Sequence, residues 1–220
     1  MSETPQSTVL FGRLVYGGWE RYEVGTALVQ IQAQSMHNPR LAGVYFVPLM
    51  FFPVSAARNK AVQLARQCGA DVLFLLDNDM IPHEGFFSFA VDFLLNHDGP
   101  AVIASPYCAG QEMGFAVMSW EGEMSILPVE AGKRHGVQRV SAAGFGFAAF
   151  RMDAFDKIEP PHFSFEWSDA EQTVLAAGED IYFCAKGARA GVPVYVAWDF
   201  WSGHVKEVTV GRPSHGNAHG

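Results

Sequence analysis

The strongest constraint on the fold is a pair of short, nearly uninterrupted apolar runs, Leu41–Val47 (LAGVYFV) and Asp71–Leu76 (DVLFLL). Successive side chains of a strand point to opposite faces of a sheet, so a run of strand length without polar alternation predicts a strand covered on both faces. Between the two runs, Pro53 opens a helix in its favoured first turn. Val54, Ala57, Ala61, Leu64, Ala65 and Cys68 then recur at spacings of three and four as its buried stripe, and Gly69 ends it. Pro82 starts the next helix, with Phe86, Phe89, Phe93 and Leu94 toward the core. Gly99-Pro100 closes it before a further strand, Ala101–Ser105. An earlier strand at Val9–Tyr16 and a helix over Glu23–Met36 complete an alternation of strand and helix, the pattern of an α/β chain with a largely parallel sheet.

Beyond residue 106 the pattern shifts to Gly-rich segments and shorter, antiparallel strands, clearest at Val137–Arg151. A helix over Glu179–Arg189 places Ile181, Cys184, Ala185 and Ala188 on one face, and Pro193–Trp198 is the last strand. The first eight residues and the tail from 207 to 220 are polar and read as flexible ends around one domain over 9–206. Charged residues make up only 17% against 49% apolar, which excludes a disordered chain or a coiled coil. The net charge of −8 opposes generic duplex binding, where many phosphates must be neutralised. Cys68, Cys108 and Cys184 form neither a disulfide framework nor a zinc spacing. Leu41–Ala57 carries no charge but is too short to span a bilayer and is interrupted by Pro48 and Pro53. No integral membrane segment is expected, nor a secretory signal; the reading is a reduced, cytoplasmic protein.

Five constellations carry possible chemistry. The triplet Asp77-Asn78-Asp79 follows a buried strand, at the carboxyl edge of the sheet where open α/β folds bind ligands. Two carboxylates there can divide the work, one gripping a hydroxyl and the other a hard divalent cation that holds a diphosphate. An acidic turn leading into the helix explains the same residues blandly. Arg58 and Asn59, on the polar face of the preceding helix, suit phosphate and base or ribose, or are an ordinary solvated face. Glu179 and Asp180 begin a helix, either as favourable first-turn carboxylates or as a positioned general base. His204, in Trp201-Ser202-Gly203-His204, is either a structural histidine near aromatics or a metal ligand. Gly144 and Gly146 interrupt an aromatic strand, through tight packing or because another group approaches the backbone.

In their order and spacing these elements resemble the GT-A glycosyltransferases, especially the compact family 2-like members. The matching string runs from PVSAARNKAVQLARQCGADVLFLLDNDM through SAAGFGFAAFRMDAF and GEDIYFCAKGARAG to WSGH. The resemblance implies a GT-A, Rossmann-like single domain: a mostly parallel central sheet flanked by helices, with a smaller antiparallel part. It implies Asp79 as the metal-binding aspartate, with Asp77 touching ribose or metal, His204 as a late metal ligand, and Mn2+ or Mg2+ as the cofactor. Arg58, Asn59, Asp77, Asn78, Gly144 and Gly146 would hold the donor, a nucleotide-diphosphate sugar with UDP-sugar as the default. Asp180, or alternatively Glu179, would be the base of an inverting transfer to an acceptor hydroxyl.

The acceptor is left open among glycan, protein, small molecule and modified nucleic acid. Trp120, Trp167 and Trp201 are candidate platforms for it, and Lys133, Arg134, His135 and Arg139 a basic cluster for an anionic one. A metal-dependent nucleotidyltransferase and a non-catalytic nucleotide- or sugar-binding module are the alternatives.

Overall fold

The computed structural model describes residues 6–15, 21–50, 53–108, 117–118 and 133–205. Its centre is a seven-stranded sheet in the order β2-β1-β3-β9-β5-β12-β7. The strands are β1 (Ser7–Val15), β2 (Leu41–Met50), β3 (Val72–Asp77), β5 (Val102–Ala104), β7 (Val137–Val140), β9 (Phe147–Arg151) and β12 (Val194–Ala197). β1 runs parallel to β2 and β3, and β5 parallel to β12, whereas β9 is antiparallel to both its neighbours and β7 to β12. The helices are α1 (Tyr22–Met36), α2 (Val54–Gln67), α3 (Phe86–Asn96), the short α4 (Ala154–Lys157) and α5 (Glu179–Arg189). Among the described residues there are also three ribbons of two-residue or three-residue strands: β4 (Met80–Ile81) with β13 (Gly203–His204), β6 (Val117–Met118) with β8 (Ala142–Ala143), and β10 (Glu166–Trp167) with β11 (Leu175–Ala177). This is the mixed α/β architecture expected from the alternation of elements.

The period of two along each strand divides the core into two layers. Val72, Phe74 and Leu76 of β3 join Val9 and Phe11, Phe147 and Ala149, and the buried faces of α1 and α3. Leu73 and Leu75 join Leu10, Leu14, Ala148, Phe150 and the faces of α2 and α5 on the other side. β3 is therefore covered on both faces, as DVLFLL predicts. On the second side α2 comes close to the sheet because Gly12 has no side chain; a Cβ there would lie 3.3 Å from that of Ala61.

Several expectations are corrected. Among the described residues β2 is an edge strand beside β1, and Tyr45, within the run Leu41–Val47 expected to be buried on both faces, is exposed. Ser7 and Thr8 are not loose: they open β1, with Thr8 N–H donating to Asp71 Oδ2 at 2.8 Å. Helix α3 begins at Phe86 and not at Pro82, because Met80 and Ile81 are taken up by the ribbon with β13. Its innermost residues are Phe86, Phe87, Ala90, Val91 and Leu94, while Phe89 and Phe93 lie partly outside, against Phe200 and Tyr195. On α5 the buried residues are Glu179, Phe183, Cys184 and Gly187, and Ala185 and Ala188 are exposed. Small alanines left the rotation of that helix undetermined, and Phe183, packed against Phe145, Phe150 and Phe163, sets it. The expected smaller antiparallel part is present, and it contributes β9 to the middle of the main sheet, between β3 and β5.

Candidate functional site

The site grows from the carboxyl end of β3. Asp77 ends that strand, Asn78 and Asp79 make the turn, and Met80 and Ile81 turn back to pair with Gly203 and His204. The Val205 N–H donates to the Asp79 carbonyl at 2.8 Å, which fixes the ribbon on that turn. Residues 125 positions apart are thereby brought into contact: His204 Nε2 lies 3.1 Å from Asp79 Oδ2. The other ring nitrogen, Nδ1, is 2.7 Å from the Cys108 carbonyl. A carbonyl only accepts, so Nδ1 carries a proton and Nε2 is the ring atom turned toward the carboxylate.

One imidazole nitrogen and one carboxylate oxygen, oriented in this way, make a donor set that fits a divalent cation such as Mn2+ or Mg2+. Such cations are commonly held by one or two protein groups, with phosphate and water filling the remaining positions. Among the described residues no third His, Cys, Asp or Glu joins the pair. Both oxygens of Asp77, the further ligand the resemblance implies, lie 3.2 Å from Arg58 Nη2.

Arg58 departs most from the sequence reading. It is 2% exposed, buried beneath the site rather than presented on a solvated helix face. Its Nη2 donates to Asp77, and its Nη1 lies 2.8 Å from Glu179 Oε1 without the alignment of a hydrogen bond. The guanidinium thus ties the end of β3 to the first turn of α5 and also faces the Phe163 ring at 6.0 Å. Its burial between two carboxylates makes it a keystone beneath the site, since a buried cation requires an anion beside it. Asp77 and Glu179, which lies beside it at 8% exposure, supply the charge. Asn59 is likewise committed to the fold. Its Nδ2 donates to the Ser55 and Phe163 carbonyls, and its Oδ1 accepts from the His162 and Phe163 N–H groups.

Burial pushes the Asp77 carboxyl up to about 6, against the opposing pull of Arg58 and with help from Asp79 and Glu179. Burial lowers the Arg58 pKa, but Asp77, Glu179 and Asp180 together outweigh it and hold the guanidinium above its ordinary value. Asp180, beside Glu179 in the first turn of α5, accepts from the Ile181 N–H at 2.8 Å through Oδ1. Of the Glu179-Asp180 pair it is the carboxylate not bound to Arg58, and it is half-buried rather than buried. Asp77, Glu179 and Asp180 surround the one guanidinium and Asp79 adjoins them beside His204, so carboxylates outnumber the arginine at this edge, an arrangement suited to a cation.

The segment 144–146 passes against this edge. The Phe145 carbonyl faces Arg58 Nη2 at 3.4 Å, and the Gly146 carbonyl accepts from the Asp77 N–H at 2.8 Å. A Cβ on Gly146 would lie 2.9 Å from Met80 Sδ and 3.1 Å from Tyr107 Cε1, so glycine there serves close packing. Gly144, also buried, precedes it. Tyr107 is a site residue the sequence reading missed. Its ring meets His204 edge-on at 5.3 Å, and burial with the nearby Asp180 and Asp77 charges raises its phenol well above the ordinary range. A lone tyrosine in a Gly-rich stretch gives no signal of this role.

Of the acceptor candidates, Trp120 lies outside the described residues. Trp201 is half-buried with its ring 5.9 Å from that of Trp198, and Trp167 is exposed on the hairpin that leads into α5. The basic cluster sits at and before β7, the edge strand of the sheet. There Arg134 lies over Trp198 and His135 pairs with Asp199, while Lys133 is exposed. Cys68, Cys108 and Cys184 are all free thiols. No helix among the described residues is long and apolar enough to cross a membrane.

No family model and no curated protein matches the chain. Among solved structures, it is similar to A197 from STIV, with a TM-score of 0.60 and 20% identity over 95% of this chain and 99% of that one. It is also similar to GalNAc-T7, solved with UDP, GalNAc and Mn2+, at a TM-score of 0.51 and 13% identity over 94% of this chain. The match spans 45% of the GalNAc-T7 chain. At these identities the likeness speaks to architecture alone, and that architecture is the GT-A fold.

Proposed function

We propose that the chain is a metal-dependent glycosyltransferase that moves a sugar from a nucleotide-diphosphate sugar to an acceptor hydroxyl. The observation that carries this reading is the Asp79–His204 pair, closed at 3.1 Å by a ribbon at the carboxyl edge of a GT-A sheet, with Asp180 on the adjacent helix end. GalNAc-T7, of the same fold, was solved with UDP, a sugar and Mn2+, which supports the same class of donor here.

Asp79 and His204 hold the cation, and when bound it supplies positive charge that offsets the negative charge of the departing diphosphate. Asp180 accepts the proton of the acceptor hydroxyl as that oxygen bonds to the anomeric carbon and the bond from that carbon to the diphosphate breaks. Transfer through a single such displacement inverts the anomeric centre. Arg58 acts beneath the site: by binding Asp77 and Glu179 it ties the β3 turn to the start of α5, and so holds Asp79 and Asp180 in one arrangement. A UDP-sugar is the default donor.

A thermal-shift panel of UDP, GDP, CDP, ADP and dTDP, each with and without Mn2+, tests the reading, because a ligand of the folded state alone raises its stability. One nucleotide stabilising the protein only with Mn2+, and not stabilising the Asp79→Ala variant, is the expected result. An Asp79→Ala protein with undiminished metal-dependent transfer would refute the assignment.

A further inference from the structure

His204 belongs to a strand of two residues, which by itself does not fix the rotation of its ring. What fixes it lies on residues 105–108, just after β5. Ser105 and Ser202 are buried at 1% and 6% exposure, and their hydroxyl oxygens are 2.6 Å apart. Ser105 Oγ is also 2.6 Å from the Phe200 carbonyl. That carbonyl only accepts and each hydroxyl has one proton, so Ser105 donates to Phe200 and Ser202 donates to Ser105. The Ser202 N–H donates to the Pro106 carbonyl at 3.0 Å, and the Ser105 N–H to Phe147 at 2.9 Å. Two residues further along each segment, the Cys108 carbonyl receives His204 Nδ1–H. Between them stands Tyr107, its ring against the imidazole and its hydroxyl in reach of the Gly146 backbone.

We infer that the Ser105–Ser202 hydroxyl pair, with Tyr107, positions His204 as a cation ligand. The pair sets the register of residues 105–108 against 200–204, the register that places Nδ1–H on the Cys108 carbonyl and turns Nε2 to Asp79. This rests on the metal-dependent reading proposed above. Buried hydroxyls are unfavourable unless each is matched, and here each is matched in one direction only, so the pair specifies one alignment of the two segments. A shift of that alignment moves the Cys108 carbonyl away from Nδ1. The ring then loses the partner that fixes its tautomer, and loss of such an outer partner weakens metal binding about 10- to 100-fold.

The test is a Mn2+ titration of the whole chain, free Mn2+ being read by electron paramagnetic resonance. In parallel, Mn2+ broadening of the His204 imidazole signal is followed in 15N-histidine-labelled protein, that signal being identified by its absence in His204→Gln. Ser105→Ala and Ser202→Ala are expected to keep native far-UV circular dichroism, to bind Mn2+ about tenfold more weakly and to lose the Nδ1-protonated signature of His204. Ser202→Thr, which keeps the hydroxyl, restores both. Ser202→Ala, at the more exposed member of the pair, carries the test should Ser105→Ala fail to fold. Mn2+ affinity within about twofold of the parent in the alanine variants, alongside loss of binding in His204→Gln, overturns the positioning role and leaves the metal site standing. Unchanged affinity in both His204→Gln and Asp79→Ala overturns the metal site itself, and the inference with it.

Discussion

Replacing Arg58 by methionine keeps the apolar stem and removes the charge. Asp77 and Glu179 then remain at 25% and 11% side-chain exposure with no cation between them. Breaking a buried pair by removing one partner costs about 3–5 kcal/mol, chiefly from the charge left behind. The partial exposure of Asp77 places this case at the lower end, about 3 kcal/mol. For a chain of this size each kcal/mol lowers Tm by roughly 2–4 °C, so Arg58→Met is expected to melt about 6–12 °C below the parent at neutral pH. Asp77, already raised to about 6 with Arg58 beside it, is relieved by protonation once the guanidinium is gone, so the deficit shrinks as pH falls toward 5. Adding Glu179→Gln to Arg58→Met should recover part of the loss, a coupling that a double-mutant cycle measures. Differential scanning calorimetry of Arg58→Met, Glu179→Gln and the double variant beside the parent, at two pH values, is sufficient. A melting temperature within about 1 °C of the parent, with nucleotide affinity lost, would refute the argument. It would mean that Arg58 faces ligand and solvent, as its place on a helix polar face first suggests.

Asp180→Asn is expected to spare Mn2+-dependent nucleotide binding and to remove transfer, read by titration calorimetry against product formation; equal loss of both would make Asp180 a binding residue. Asp77 is raised to about 6, so between about 4 and 6 the folded state holds more protons than the unfolded state and stability falls as pH rises. Asp77→Asn should flatten that slope in urea melts across this window, and an unchanged slope would remove Asp77 as its source. Gly146→Ala forces Met80 Sδ and Tyr107 to yield to a new Cβ, and overpacking of this kind costs about 1–3 kcal/mol by chemical denaturation.

Part of the proposed site is legible in the sequence alone. Asp79 and Asp180 could be named because each follows directly from a strong local pattern, an apolar strand and a helix start. His204 was legible only as a residue type beyond the last strand. Its partner lies 125 positions away, and pairing at that separation is decided by the β4–β13 ribbon, which two-residue strands do not announce in sequence. Tyr107, Ser105 and Ser202 carry no pattern, because their roles come from contacts between residues 105–108 and 200–204. Arg58 was misplaced for a related reason. A charged residue in a helix reads as exposed unless the anions that bury with it are known, and here they come from the end of β3 and the start of α5.

The amino-acid order by itself determined the α/β class, the double burial of β3 and the acidic carboxyl edge that follows it, because those depend on periodicities within a few residues of one another. Only the tertiary structure decided that β9 enters the sheet antiparallel between β3 and β5, that Asp77 answers Arg58, and that Asp79 faces His204. Each of these matches a strand edge or a buried charge to a partner distant in sequence, and the free energy of that match exists only when both partners are in place.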